Sequence, residues 1–275
     1  MSSTVDPVPD DPIISAITES DASLLVVVSD AELLAAILKG AFDIDPESVR
    51  ILTPRTVANE VLADFIVASR TAELVERGTL SIRLAEEVPT MPLIVGEDRV
   101  TRFVKIGNSL YTLGTADSGF VSAATEHFGK CWESAEEYPV SAAPISTVRQ
   151  ELEEVFGPGI LEDFEAMVDA KQGDGLRIAD RFILLAARHR ALLYDIGRWG
   201  EEMGISSRAT FSRAKARLER KGVVATEKVP IEHGRPRQQL LLADDRYRDA
   251  PMDDLLRIAD DLVNDRVRGS RVRAD

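Results

Sequence analysis

The chain has 275 residues, of which 44% are hydrophobic, and this length is sufficient for two folded domains. No apolar run approaches the roughly 18 residues that a transmembrane helix needs, and the acidic, proline-rich N-terminus lacks the pattern of a signal peptide, so we expect a cytoplasmic protein. The single cysteine, Cys131, excludes an internal disulfide and a zinc site built from several cysteines, and we expect neither a metal nor a cofactor.

Acidic residues outnumber basic residues by 47 to 33, and only seven of the basic residues are lysines. A surface rich in Asp and Glu and poor in Lys suits solubility in molar salt, where charge repulsion is screened within about 3 Å. The composition therefore favours a halophilic source. The alternative is an acidic protein from a GC-rich genome, because such genomes also favour Arg over Lys.

Strand-like runs alternate with helical patterns in the first third of the chain. The runs with the length and composition of strands are SLLVVVS, VRIL and LSIRLAE. Helical patterns follow the first two runs: AELLAAILKGAF, and the segment from Thr56 to about Glu76, which Gly78 ends. Strands that alternate with helices predict parallel pairing.

The pattern changes after Pro89. Three strand-like runs separated by turn signals predict antiparallel pairing: PLIVG, RVTRFVKIG and SLYTLGT. A helix over about 120–137 is expected to close this half of the chain. Residues 139–147 (PVSAAPIST) have no periodicity and predict a linker, and Ser146 or Thr147 is the expected N-cap of the helix that follows.

From Leu176 the order of elements is helix, helix, turn, helix and two strand-like runs, which is the order of a winged helix-turn-helix. Ser206 is the expected N-cap of the third helix, over 206–221. Its apolar side chains at positions 211, 214 and 218 are predicted to pack on the preceding helices. The opposite face is predicted to contact DNA through hydroxyl, ammonium and guanidinium groups, and it carries Ser207, Arg208, Thr210, Arg213, Lys215 and Arg217.

The two strand-like runs, 223–229 and 238–242, predict a hairpin whose tip is HGRPR. His233, Arg235 and Arg237 in this tip are expected to reach a minor groove or phosphates. Nine basic and three acidic residues lie between positions 206 and 240, so this segment has a net charge of +6 and the rest of the chain has −20. A basic island in an acidic protein is the electrostatic footprint of DNA binding.

Roles within this set follow from position. Arg213 and Thr210 are the expected base contacts, and Arg208 and Arg217 are expected to hold the helix on phosphates. One alternative is a solvated amphipathic helix with an exposed hairpin, and another is a winged helix that binds protein. Six net positive charges favour double-stranded DNA as the partner over both alternatives.

These patterns predict an α+β protein, with an N-terminal α/β domain that senses a ligand or forms dimers and a C-terminal winged helix-turn-helix. The expected segments are a disordered N-terminus (1–12), the α/β domain (13–138), a linker with connecting helices (139–175), the winged helix-turn-helix (176–248) and a C-terminal helix and tail (249–275).

The segments DIGRWGEEMGISSRATFSRAKARLERKGVV and HGRPR resemble archaeal winged-helix regulators. Together with the acidic α/β half, the chain resembles the haloarchaeal TbsP-type transcriptional regulators over nearly its whole length. This resemblance implies a transcription factor linked to the control of sugar metabolism. It also implies action alongside another regulator, TrmB.

The run from VRILTPRT to MPLIVGEDRV is similar to the phospholipase-D-like domains that serve as ligand sensors in some archaeal regulators. Such enzymes need the motif H-x-K-x4-D. None of the three histidines, His127, His189 and His233, begins this motif, so we expect a catalytically empty domain without catalytic residues. Phosphodiesterase activity is the weaker alternative.

A small-ligand site is expected at the carboxyl ends of the first two strands, where ligands bind in open α/β sheets and helix N-termini attract anions. The candidate residues are Ser29, Asp30, Thr53, Arg55 and Thr56. The alternative is that these side chains only cap the helices that they precede.

The last helix, MDDLLRIADDLVNDRV, carries apolar residues on one face: Leu255, Ile258 or Ala259, Leu262 and Val263. This face either pairs with a second copy of the chain or packs on its own domain. Winged helices commonly bind as dimers to two half-sites one helical turn apart, so we expect a homodimer.

Overall fold

The computed structural model describes residues 13, 17, 23–44, 47–86, 88, 92–107, 109–170, 175–230 and 236–271, with side chains up to Asn264. The chain divides into two compact units, Met1–Ile145 and Ser146–Asp275. The division falls inside the segment 139–147 that the sequence predicts as a linker. Among the described residues, no helix is both long enough and apolar enough to cross a membrane.

The first unit is built on a seven-stranded sheet. In chain order the strands are β1 (Leu24–Val27), β2 (Val49–Thr53), β3 (Leu80–Leu84), β4 (Leu93–Val95), β5 (Val100–Ile106), β6 (Ser109–Thr115) and β7 (Glu136–Glu137). In space their order is β6-β5-β4-β1-β2-β3-β7. The pairs β1–β2 and β2–β3 are parallel, and the other four pairs are antiparallel. The alternation of patterns in the sequence predicted this change of direction.

Helices cover both faces of this sheet. They are α1 (Ala31–Ile44), α2 (Arg55–Val61), α3 (Phe65–Glu76) and α4 (Ser118–Ser134). Alternate side chains of β1 enter two separate cores: Leu24 and Val26 pack with α1, whereas Leu25 and Val27 pack with Phe128 of α4. Because both faces of β1 are buried, its sequence is a continuous apolar run instead of an alternating one.

Two predicted helices of this unit have different bounds in the structure. The helix expected over 56–76 is two helices, because the Asp64 carboxylate accepts hydrogen bonds from the amides of Ile66 (2.9 Å) and Val67 (3.2 Å) and starts α3 there. The helix expected over 120–137 ends at Ser134, because Glu136 and Glu137 pair with β3 as a short edge strand.

The second unit contains seven helices and a hairpin within the described residues. They are α5 (Ile145–Phe156), α6 (Ile160–Asp169), α7 (Ile178–Arg188), α8 (Leu193–Glu202), α9 (Arg208–Arg220), β8 (Val224–Val229), β9 (Arg237–Leu242), α10 (Asp245–Arg248) and α11 (Met252–Arg271). The order α7, α8, α9, β8, β9 is the predicted winged helix-turn-helix. Phe164 of α6, Phe182 of α7 and Phe211 of α9 are fully buried in this unit.

The expected caps at Ser146 and Thr147 are wrong, because α5 begins at Ile145 and includes both residues. Ile145 is buried, as are Val148 and Leu152 on the same face of the helix. The helix therefore begins one residue before the first of the two predicted caps, and Ile145 extends its buried face.

The apolar face of α11 is buried within its own unit. Met252, Leu255, Leu256 and Ala259 are buried, and α11 packs against α6 and α7. The Asp260 carboxylate also accepts a hydrogen bond from the amide of Leu176 (2.9 Å), just before α7. Of the two alternatives for this face, the structure shows packing on its own domain.

Candidate nucleic-acid interface

The turn between α8 and α9 determines where α9 begins. The amides of Ile205 (2.8 Å) and Ser206 (3.3 Å) both donate to the carbonyl of Gly200, so Ser206 still belongs to the turn that closes α8. Ser207 is the N-cap, and its hydroxyl accepts a hydrogen bond from the amide of Thr210 (3.3 Å). The predicted cap at Ser206 is therefore wrong by one residue, and Ser207 has a structural role as well as an exposed position.

Close packing of α8 on α9 depends on a glycine. Phe211, Ala214 and Leu218 form the buried face of α9, as predicted. A Cβ added at Gly200 would lie well under 3.0 Å from two ring atoms of Phe211, closer than real Cβ atoms come to a neighbour. Gly200 thus permits the two helices to approach, and the sequence interpretation did not single it out.

The face of α9 opposite this core is a stripe of exposed residues. Ala209, Ser212, Arg213, Ala216 and Arg220 are exposed and lie three or four positions apart. Arg213 makes no hydrogen bond or ion pair with any residue that the structure describes. We call these five residues the α9 stripe. Alanine and serine on either side of Arg213 leave room for the helix to approach the floor of a groove.

Only Arg213 of this stripe was among the predicted DNA contacts. The other predicted residues flank the stripe instead. Arg208 forms an ion pair with Glu201 (2.7 Å), and Thr210 is half-buried with its hydroxyl 3.0 Å from that of Ser207. A helical wheel centred between the three buried residues would have selected the stripe from the sequence.

Lys215 is not on the exposed face, in contrast to the prediction. Its ammonium group forms an ion pair with Glu219 (2.9 Å), and its side chain is largely covered. The Thr226 hydroxyl of β8 donates to the other oxygen of Glu219 (3.0 Å). The hydrogen bond from Lys215, with a smaller contribution from that of Thr226, lowers the pKa of Glu219. This group of three side chains therefore joins α9 to the hairpin.

Arg217 also departs from its predicted role as a phosphate contact. Its guanidinium is paired with Asp180 of α7, with Nε donating to Oδ1 at 3.0 Å. Asp180 is fully buried, and its Oδ2 accepts from the amide of Arg177 (2.8 Å). Burial, together with the nearby charges of Arg177 and Arg220, lowers the pKa of Arg217. Because a buried carboxylate is stable only with a countercharge, Arg217 points toward Asp180 and not toward the exposed surface of α9.

The hairpin is attached to the start of α8. Strands β8 and β9 pair in antiparallel fashion, and Leu192 forms an isolated bridge with Gln239 that adds a short third strand. The amide of Leu240 donates to the carbonyl of Ala191 (2.9 Å). These bonds give the three-stranded sheet of a winged helix.

Arg237 is the first residue of β9, in the strand pair nearest the loop of the hairpin, and it contacts α8. Its guanidinium is 4.3 Å from the ring centroid of Tyr194 and 3.2 Å from a carboxylate oxygen of Asp195. The predicted tip residues His233 and Arg235 lie outside the described residues. Lys228 of β8, which the sequence interpretation missed, is exposed and has no ion pair within the described part of the chain.

The net charge of +6 overstates the positive charge of this surface. Arg208, Arg217 and Arg237 are each paired with a carboxylate that lies outside positions 206–240, on α7 or α8. Counting charges along the chain does not include these partners. Between positions 206 and 240, the described cations that are exposed and not paired with a carboxylate are Arg213, Arg220 and Lys228.

The five candidate ligand residues of the first unit lie at the carboxyl ends of β1 and β2, which are neighbours, as the expected site requires. Asp30 accepts a hydrogen bond from the amide of Leu33 (2.8 Å) and thus caps α1, and Arg55 pairs with Glu136 (2.8 Å). Pro54, and not a threonine, precedes α2.

The other three candidates differ in their exposure. Thr56 is exposed and Ser29 is half-buried. Thr53 is fully buried, and its hydroxyl has no hydrogen-bond partner within the described ranges. In the same ranges, no group of His, Cys, Asp and Glu side chains is placed to hold a metal ion.

Two family models match adjoining parts of the chain. Residues 2–143 match the model described as "Transcriptional regulator TbsP-like, N-terminal", and residues 144–260 match "Transcriptional regulator TbsP-like, C-terminal HTH domain". No curated protein matches the chain. The border between the two matches lies two residues before the division between the compact units.

Proposed function

The chain belongs to the TbsP-like family of transcriptional regulators, and we propose that it regulates its targets by inserting α9 into the major groove of specific operator sequences. The observation that supports this most is the position of Arg213, which is exposed, unpaired within the described residues and flanked by small side chains on the α9 stripe. A guanidinium group in that position can donate two hydrogen bonds to O6 and N7 of a guanine.

The remaining exposed cations suit contacts to the DNA backbone. Arg220 lies two turns beyond Arg213 on the same stripe, and Lys228 lies on β8 of the wing. Arg208 and Arg237 form ion pairs with carboxylates in the free protein, and DNA phosphates can replace these carboxylates when DNA binds. The proposed tip contacts of His233 and Arg235 would extend this surface along the duplex.

Arg213→Ala is expected to weaken operator binding by about 1 to 3 kcal/mol while leaving binding to random DNA nearly unchanged. The physical reason is that a base contact contributes only where the correct base is present. Fluorescence anisotropy at fixed salt, with operator and random duplexes, measures both affinities. The operator sequence comes from chromatin immunoprecipitation with the intact protein.

Two variants provide matched comparisons for this experiment. Arg220→Ala removes a proposed phosphate contact, so it should weaken both duplexes equally and reduce the salt dependence of binding. Arg257→Ala removes the same charge from an exposed site on α11 and should change neither affinity. Equal losses on both duplexes for Arg213→Ala would reject base recognition, and a parent protein that binds no DNA would favour a winged helix that binds protein.

We also propose a small-anion site in the first unit, because the buried Thr53 hydroxyl lacks a partner within the described residues. Inorganic phosphate at millimolar concentration is expected to raise the unfolding temperature of the parent and not that of Thr53→Val. Thr71→Val is the control, since the Thr71 hydroxyl already donates to the carbonyl of Val67 (2.7 Å). An equal shift for parent and Thr53→Val would reject this site.

Control of sugar-metabolism genes and action alongside TrmB follow from the resemblance in sequence alone, and they stay predictions. The promoters recovered by immunoprecipitation test them directly. A lack of peaks at promoters of sugar-metabolism genes would contradict the first prediction. Unchanged promoter occupancy in a strain without TrmB would contradict the second prediction. Binding to DNA as a homodimer is likewise a proposal.

A further inference from the structure

The two edges of the seven-stranded sheet differ in a way that bears on assembly. A strand at an edge leaves backbone groups free to pair with another chain, and proteins commonly protect such edges with short strands, charges or proline. The β7 edge has two residues, and both are glutamates. The β6 edge has seven residues, SLYTLGT, without a charge or a proline. Within the described residues no strand pairs with the outer side of β6.

Apolar side chains are exposed beside this edge. Tyr111 and Leu113 of β6 are 43% and 59% exposed, and Ile106 of β5 is 64% exposed. The register pairs Leu113 with Arg102 and Ile106 with Ser109, so these three side chains lie on the same face of the sheet. Exposed apolar side chains that lie side by side in this way are typical of contact surfaces.

We infer that β6 is a dimerisation edge, at which two copies of this chain pair their β6 strands in antiparallel fashion. The inference assigns a contact surface to the homodimer of the proposed function, and it rests on that proposal for the two-fold symmetry. An antiparallel pair of identical strands has two-fold symmetry, and both copies use the same surface.

The sequence of β6 is complementary to itself when the two-fold axis passes Thr112. Tyr111 of one copy then lies opposite Leu113 of the other, and this apolar pair occurs twice. On the opposite face, Leu110 lies across from Gly114, which has no side chain that could clash with the leucine. The register therefore brings apolar side chains together without placing charges opposite each other.

At this edge, unlike most of the surface, charge does not oppose a second copy. Each chain carries a net charge of −14, so most surfaces of two copies repel each other. At β6 the two copies meet without placing carboxylates opposite each other. Because β6 is uncharged, it has no group that would attract a charged peptide more strongly than a second β6 strand.

The first test is the oligomeric state of the full-length protein in molar salt. Sedimentation velocity is expected to give a dimer for the parent and a monomer for Leu113→Lys, because the lysine lies opposite Tyr111 of the other copy. Val155→Lys is the matched control: it replaces an apolar residue with a similar exposure (46%) on α5, and it should stay dimeric. A monomeric parent, or a dimer that survives Leu113→Lys, would overturn the inference.

The second test examines the register. In a Cys131→Ala background, Thr112→Cys places two cysteines directly opposite each other, within the Cα separation that a disulfide requires. Mild oxidation is expected to give a covalent dimer. Ser109→Cys, which lies opposite Thr115 of the other copy, should give little or none. Cross-linking by Ser109→Cys in place of Thr112→Cys would overturn the proposed register.

Binding to a single half-site separates this inference from the proposed function. Leu113→Lys should bind one half-site as the parent does and lose the additional affinity for two half-sites. Loss of half-site binding with Arg213→Ala tests the DNA surface independently of the dimer. If half-site binding is normal and the parent is monomeric, the edge inference fails while the DNA-binding proposal stands.

Discussion

Arg217→Met is expected to lower the free energy of unfolding by about 3 to 5 kcal/mol, although Arg217 belongs to the helix that we propose to enter DNA. The substitution leaves the fully buried Asp180 carboxylate without its countercharge. The methionine keeps most of the apolar stem, so the loss reports mainly on the charge. Urea denaturation at fixed salt measures it.

Three further variants complete this experiment. Asp180→Asn with Arg217→Met removes both charges and should recover much of the lost stability, because an uncharged pair has no unpaired buried ion. Arg213→Ala should leave stability unchanged and weaken operator binding, and Arg257→Ala should change neither. If Arg217→Met instead left stability unchanged and weakened DNA binding, Arg217 would be a phosphate contact as the sequence first suggested.

Gly200→Ala is expected to destabilise the second unit by about 1 to 3 kcal/mol, because the new methyl group overlaps the ring of Phe211. Phe211 is fully buried, so its ring can move only by displacing the side chains packed around it. A displaced α9 should also weaken operator binding. Denaturation and anisotropy on the same protein preparation measure the two effects.

Gly197→Ala is the matched control in the same helix. Its added Cβ would lie 3.9 Å from the nearest atoms of Arg208, an ordinary contact, so the better helix propensity of alanine should leave stability equal or higher by up to about 1 kcal/mol. Phe211→Leu combined with Gly200→Ala should restore part of the packing. If both alanine variants behaved alike, the close approach at Gly200 would not limit stability.

Elements with a clear local pattern, either a continuous apolar run or a periodic repeat, could be predicted from the sequence. The apolar run of β1, the three antiparallel runs after Pro89 and the order of the winged helix-turn-helix are all present in the structure. These features depend on local pattern. The ends of elements depended instead on single contacts: Asp64 divides a predicted helix, and Glu136 pairs with a distant strand.

The candidate site was predicted in outline, and its details depended on contacts between distant positions. Nothing near Arg217 in the sequence indicates that its partner is Asp180, 37 positions earlier. Arg237 is likewise held by the Tyr194 ring and by Asp195, 42 positions earlier. The pair of Lys215 with Glu219, by contrast, lies four residues apart on one helix and could have been predicted from the sequence. The stripe itself was recoverable, since the buried residues of α9 define the opposite face.

The bonds between β9 and the start of α8 have a consequence for the DNA as well as for the protein. Leu240, Gln239 and Arg237 each contact residues 190–195 of the chain, so the wing cannot swing independently of the helix-turn-helix. The distance between the bases read by α9 and the backbone met by the wing is then set by the protein. A duplex must adjust its groove width and bend to fit that distance. Sequences that deform easily in the right direction would be preferred even at base pairs that no side chain touches.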